Sequence, residues 1–167
     1  KFWRIDRDNP RVSMAKRPDT TLMASWNWEL ISDKPMDWWL PKLANIKRAW
    51  PNRVLVASIM AGSGNDKELR AWQTLVQGVQ DAGADAIELN FSCPHMDRVD
   101  MGSNVGKDAV LCSVSTQAVK AVARVPVWVK LTPATATTVD EARATFLGGA
   151  DAIVSSNTFP SVPLVDP

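Results

Sequence analysis

The residues with the most chemical capacity lie in three short runs, each following an apolar stretch. Asn90-Phe91-Ser92-Cys93-Pro94-His95 carries an amide, a hydroxyl and a thiol. Lys130-Leu131-Thr132-Pro133 brings an amine to the end of a very apolar segment, and Ser155-Ser156-Asn157-Thr158 adds hydroxyls and an amide. A free thiol titrates at about 8.5, so Cys93 can give or take a proton near neutral pH. Pro94 biases the residue before it toward extended backbone. Packing is the competing reading of Cys93, since free cysteine often behaves as a small buried hydrophobe. Lysine is rarely buried without an anionic partner. Lys130 can therefore act as a Schiff-base amine, neutralise a bound anion, or simply reach solvent from a strand end. Cys112, between Leu111 and Val114, reads as packing. His95 is the chain's one histidine and has no ligand-spaced neighbours, so no metal site is expected.

These runs need a scaffold that brings them together. Val54 to Met60, Ala86 to Phe91, Pro126 to Leu131 and Asp151 to Ser156 read as buried strands. Between them, Asp66 to Ala82, Asp108 to Ala123 and Thr138 to Leu147 read as helices. Leu69, Trp72, Leu75, Val76 and Val79 form one apolar face, and Leu111, Val114, Ala118, Val119 and Val122 another. Asn65 or Asp66 can cap the first of these helices, while Asp140 and Glu141 suit the opening dipole of the last. Gly83-Ala84-Asp85-Ala86-Ile87 recurs as Gly149-Ala150-Asp151-Ala152-Ile153, each time joining a helix to a strand. Repeated αβ units imply a parallel sheet covered by helices. No Gly-x-Gly-x-x-Gly fingerprint follows a strand, which favours a βα barrel over an open dinucleotide-binding sheet. In such a barrel the active site lies at the carboxyl ends of the strands, where the three runs sit.

Residues 1–50 differ from the rest. They hold six of the eight tryptophans: Trp3, Trp26, Trp28, Trp38, Trp39 and Trp50. Residues 1–34 read as loop and extended segments, and Pro35 to Trp50 as a helix. Core and interface packing is the expected role of the tryptophans. A net charge of +1 gives no reason to expect nucleic acid. No apolar run approaches a membrane span. Two cysteines cannot make a disulfide scaffold, and Lys1 to Arg17 is too polar for a signal peptide. A soluble, cytoplasmic domain is the expectation.

The run Ile87-Glu88-Leu89-Asn90-Phe91-Ser92-Cys93-Pro94-His95 resembles the catalytic segment of dihydropyrimidine dehydrogenases, within the dihydroorotate dehydrogenase superfamily of FMN-dependent barrels. Asn27-Trp28-Glu29-Leu30-Ile31-Ser32-Asp33-Lys34 resembles its pyrimidine-binding segment, and Ala57-Ser58-Ile59-Met60 its third barrel strand. Met101-Gly102 and Gly106 are similar to the loop after the cysteine. Val129 to Pro133 and Ser156-Asn157-Thr158 resemble strands five and six. The resemblance runs from about residue 20 to 160.

The resemblance implies that FMN lies across the barrel mouth, with Lys130, Asn90 and Ser156 among its contacts. It implies that Lys130 stabilises the reduced, anionic flavin. Asn27, Asn90, Ser92, Asn157 and Thr158 frame a flat pyrimidine, and Glu29 and Ile31 line that pocket. Hydride passes to C6 of uracil or thymine while Cys93 protonates C5 from the opposite face as general acid. His95, where dihydroorotate dehydrogenases tend to carry asparagine, favours the pyrimidine-reducing branch. The loop after Cys93 is shorter and less glycine-rich than in the vertebrate enzymes. The resemblance further implies iron–sulfur clusters and NAD(P)H supplied by a partner subunit or other domains, in an oligomeric assembly. The cluster cysteines are absent from this sequence.

The alternatives are a dihydroorotate dehydrogenase, a Schiff-base aldolase using Lys130, and a non-catalytic fragment unable to hold FMN alone. A barrel of this kind needs roughly 250 residues. The 167 residues are therefore expected to form one partial barrel covering strands three to six, with 1–50 a Trp-rich lead-in and 51–160 the βα repeats. The first two strands would precede Lys1, and the phosphate-binding loops would follow Pro167.

Overall fold

A computed structural model describes residues 12–16, 22–27, 31–94, 98–136 and 138–158, the first two stretches as backbone only. Two compact units result. One contains an antiparallel hairpin of β1 (Val12–Lys16) and β2 (Leu22–Asn27), with Val12 opposite Asn27. This region was expected to be extended, but no sequence signal marked the pairing.

The other unit, Ser32–Asn157, is the βα array. After α1 (Met36–Ala49) come β3 (Val56–Ile59), α2 (Asp66–Asp81), β4 (Ala86–Phe91), a 3-10 helix (Gly102–Lys107), α3 (Ala109–Lys120), β5 (Val127–Leu131), α4 (Thr138–Leu147) and β6 (Ala152–Val154). The four strands form one parallel sheet in the order β3-β4-β5-β6. Chain neighbours are therefore sheet neighbours, as in a strip of βα barrel and unlike a doubly wound sheet. No helix among the described residues is long and apolar enough to cross a membrane.

Alternation along the strands divides the sheet into two faces. Ala57 and Ile59, Ile87, Leu89 and Phe91, and Val127, Val129 and Leu131 are buried on the helix-covered face. Trp72, Val76 and Val79 of α2 and Cys112 and Val119 of α3 complete that core. Trp72 meets Phe91 edge to face at 5.7 Å and donates its indole N–H to Ser63 Oγ at 3.3 Å. The opposite face carries Ser58, Glu88, Asn90, Trp128 and Lys130, which are not buried.

Each repeated joint is built in the same way. Gly83 and Gly149 both adopt φ +98°, a backbone that disfavours any side chain. In each, the next main-chain N–H reaches back to a carbonyl of the helix just ended, from Ala84 to Val79 and from Ala150 to Thr145. Asp85 then accepts from Leu55 N–H at 2.8 Å and from Lys47 Nζ at 2.7 Å. Asp151 accepts from Val127 N–H at 2.7 Å and from Lys120 Nζ at 2.8 Å. The capping side chains are Asn65 for α2 and Asp108 for α3.

Two expectations need correction. Core packing does not describe the tryptophans of α1. That helix has no buried residue, and Trp38 and Trp50 are 40% and 62% exposed. Leu40 and Leu43 take the inward stripe instead, while Trp38 packs against Trp39 and under the Lys42 ammonium at 3.6 Å. The inward face of α3 is rotated from the aliphatic one expected. Its buried residues are Cys112, Ser115, Thr116 and Val119. Their hydroxyls are satisfied locally, Thr116 by the Cys112 carbonyl at 2.7 Å and Ser115 by Ser63 at 2.6 Å, so polar side chains fit the core without loss.

Candidate active site

Asn90 and Lys130 stand directly opposite each other in the β4–β5 register, on the uncovered sheet face. Strand alternation puts them there, because Leu89, Phe91, Val129 and Leu131 are drawn to the other side by the core. Lys130 is half-buried and has no ion-pair partner among the described residues. One turn deeper, Ser58 Oγ donates to Glu88 Oε1 at 2.9 Å, across neighbouring strands.

Immediately beyond β4, Ser92 organises the asparagines. Its N–H donates to Asn90 Oδ1 at 3.0 Å and its hydroxyl to the same oxygen at 2.8 Å. Its carbonyl accepts from Asn157 Nδ2 at 3.0 Å, and its Oγ accepts from that nitrogen at 3.1 Å. A main-chain N–H can only donate and a carbonyl can only accept, so both amide orientations are determined by the backbone of Ser92. With Asn90 Oδ1 engaged, its amide N–H groups are left as donors on the sheet face that also carries Lys130.

Cys93 follows, 5% exposed, with its carbonyl accepting from Ser103 N–H at 2.9 Å. The chain's other thiol has a different setting. Cys112 is fully buried, its Sγ–H pointing to the Val105 carbonyl at 3.2 Å. Burial, with Glu141 and Asp108 nearby, pushes its pKa up to about 12. That thiol is inert packing, as its helix position suggested.

Among the remaining expected residues, Ser156 is half-buried, with its hydroxyl donating to the Asn157 carbonyl at 3.1 Å. Asn27, Ile31 and Thr158 fall in the hairpin unit. Glu29 and His95 lie outside the described residues. Among the described residues no cluster of three His, Cys, Asp or Glu could hold a metal.

Sequence reasoning missed the charged network formed by residues that follow Cys93 in the chain. Arg98 forks onto Asp100, Nε to Oδ1 at 2.9 Å and Nη2 to Oδ2 at 2.6 Å, and also reaches Glu68 at 3.0 Å. Asp100, held well below the usual carboxylate range by Arg98, also accepts from Gly64 N–H at 3.2 Å. An arginine and an aspartate two residues apart, just after Cys93, were the available signal. Glu141 was also misread as a helix-dipole residue alone. It is buried, with Oε1 accepting from Thr135 at 3.1 Å and Oε2 unpartnered among the described residues.

Comparison with known proteins places this geometry in context. The family profile described as dihydroorotate dehydrogenase matches residues 38–166. A chloroplastic dihydropyrimidine dehydrogenase (NADP(+)) of Arabidopsis thaliana is 37% identical over 88% of this chain and 34% of its own length. The NAD-dependent dihydropyrimidine dehydrogenase subunit PreA of Escherichia coli K12 is 36% identical over 99% of this chain and 39% of its own length. The catalytic subunit of a dihydroorotate dehydrogenase B (NAD(+)) from Methanosarcina acetivorans is 41% identical over 62% of this chain and 31% of its own length. The chain thus spans between 31% and 39% of the length of these curated relatives. Among solved structures, the carboxyl transferase domain of Rhizobium etli pyruvate carboxylase with pyruvate and biocytin shares the fold. Its TM-score is 0.50 at 14% identity, over 68% of this chain and 18% of that one. With a parallel βα strip and a family match over most of its length, the chain belongs to the dihydroorotate dehydrogenase family.

Proposed function

We propose that this chain supplies the proton donor and much of the substrate frame for flavin-dependent reduction of the C5–C6 double bond of uracil or thymine. The observation that carries the reading is the sequence of groups at the end of β4. Asn90 and Lys130 face each other on one sheet face, and Cys93 follows at the strand's carboxyl end. Relatives matched over 88% and 99% of this chain are named dihydropyrimidine dehydrogenases, against 62% for a dihydroorotate dehydrogenase, which favours the former branch over dihydroorotate oxidation.

The donor set suits the ring end of FMN. Lys130 is a cation without an anionic partner among the described residues, and Asn90, opposite it in the register, has its oxygen engaged and its N–H groups left to donate. Both favour an electron-rich, acceptor-bearing edge. FMN, when bound, supplies the hydride. Cys93 holds a proton as a thiol and delivers it to C5, which requires the thiol to stay protonated in this direction. Lys130 and Asn90 orient the flavin edge, with Ser156 a further contact. Asn90, Ser92 and Asn157 form one hydrogen-bonded frame and contact the pyrimidine in this reading. Asn27, Glu29, Ile31 and Thr158 join it on the strength of their sequence resemblance alone. The E. coli relative is named as a subunit of an NAD-dependent enzyme, which supports electrons arriving from NAD(P)H by way of another polypeptide; iron–sulfur clusters on that route rest on the sequence resemblance alone.

The test is turnover by the full-length protein that contains this chain. Uracil or thymine reduction is expected, with dihydroorotate oxidation slow or absent. Turnover of dihydroorotate alone overturns the proposal.

A further inference from the structure

The loops that follow β3 and β4 meet, and one guanidinium joins them. The first loop leaves β3 through Gly62, Ser63 and Gly64 and leads to Asn65, the cap of α2. The second, from residue 98 to the 3-10 helix, follows Cys93. Arg98 forks onto Asp100 within the second loop and reaches Glu68 on α2 beyond the first. Main-chain bonds run alongside. Ser63 N–H donates to the Asp100 carbonyl at 2.9 Å, and Gly64 N–H donates to the Asp100 carboxylate. Asn104 Nδ2 holds the Arg98 carbonyl at 2.9 Å. The next residue back, Ser103, donates its N–H to the Cys93 carbonyl. The ion pairs are therefore linked to the Cys93 carbonyl through Asn104 and Ser103.

Gly62 makes room for this arrangement. A Cβ there would stand 2.5 Å from both Arg98 Nη2 and Glu68 Oε2. Both atoms are ends of flexible side chains, so an alanine would displace the bridge and leave the backbone in place.

We propose that Arg98 is a positioning residue: it fixes the Cys93 segment against the β3–α2 loop by sharing one guanidinium between Asp100 and Glu68. This rests on the reading of Cys93 as the proton donor. Lysine cannot replace it fully, because a point charge has no planar fork to span two carboxylates. The arginine is half exposed, with Glu68 and Asp100 less so, and the attraction is therefore sensitive to salt.

The rate at which N-ethylmaleimide alkylates Cys93 tests this in the full-length protein loaded with FMN. Cys93 is nearly buried, so its labelling reports opening of the segment, and Cys112 does not interfere. Arg98→Ala and Gly62→Ala are expected to label roughly three- to ten-fold faster than wild type, with Arg98→Lys between. High salt should raise the wild-type rate toward that of Arg98→Ala and leave Arg98→Ala nearly unmoved. In both variants kcat should fall more than KM rises. Gly62→Ala keeps every charge, so it remains informative should Arg98→Ala not fold. Unchanged labelling in the variants overturns the proposal, as does faster labelling with kcat intact, which would make the bridge structural only. Full turnover by Cys93→Ala would overturn the proton-donor reading itself, and the labelling rates distinguish that failure from this one.

Discussion

Asp85 and Asp151 occupy equivalent places in two copies of one joint. Each accepts a main-chain N–H at the start of the preceding strand, from Leu55 just before β3 or from Val127 of β5, and receives a lysine from the helix before that strand. Lys47 and the Leu55 N–H hold Asp85 below the usual carboxylate range. For Asp151, desolvation pushes upward, but Lys120 and the Val127 N–H outweigh it and the net shift is downward.

A depressed carboxylate pKa contributes stability that is present above the unfolded value, about 3.9, and lost as pH falls through the folded one. The wild type should therefore lose stability as pH falls below about 4. Asp85→Asn with Asp151→Asn should lower Tm at pH 7 and flatten that acid limb. Thermal melts between pH 2.5 and 7 check both, and an unchanged acid limb would show that the joints carry no such linkage.

Replacing Cys93 with alanine should reduce turnover about 10²- to 10⁴-fold, the usual range for a removed general acid. Flavin absorbance should persist, because the thiol is not among the groups expected to hold the cofactor. Steady-state rates together with the visible spectrum separate loss of chemistry from loss of binding.

Lys130→Gln removes a cation that has no ion-pair partner among the described residues and leaves a neutral hydrogen-bonding side chain one bond shorter. The reduced flavin should become harder to form, lowering both the flavin midpoint potential and kcat, the latter about 10²-fold. Spectroelectrochemical titration is the direct measurement. An unchanged potential would move Lys130 out of the flavin's surroundings.

Cys112, with its pKa pushed up to about 12, should resist thiol reagents at pH 8 until the protein unfolds. Thiol counting with and without denaturant gives one protected cysteine at position 112. Because the folded pKa is raised, stability from this group is complete below about 8.5 and declines as pH rises from there toward 12.

Trp72→Ala should cost about 3–5 kcal/mol, since it empties a fully buried site against Phe91. Trp72→Phe should cost less, and its main loss is the hydrogen bond to Ser63. Urea denaturation monitors both.

Much of the array was legible because burial enforces periodicity. Ala86–Phe91 and Thr138–Leu147 were bounded as found, and Gly83 and Gly149 marked their joints through a backbone requirement visible in residue type. The inward face of α3 was not legible, since Ser115 and Thr116 enter the core only through hydrogen bonds to partners distant in sequence or hidden in the main chain. The tryptophans of α1 misled for the opposite reason, as size alone does not say whether a neighbour exists to cover them. In the candidate site, Asn90, Cys93 and Lys130 stand out in the sequence by what their side chains could do. Arg98 escaped because its role depends on Glu68, thirty residues earlier and on another element.

Ser92 has a consequence for how this site can evolve. The polarity of both asparagines comes from a peptide N–H and a peptide C=O, which every residue except proline provides. Drift at position 92 would thus leave Asn90 a donor toward whatever faces it. A ligand rim that must accept a hydrogen bond there is selected by the course of the chain, and inverting the preference requires replacing an asparagine itself.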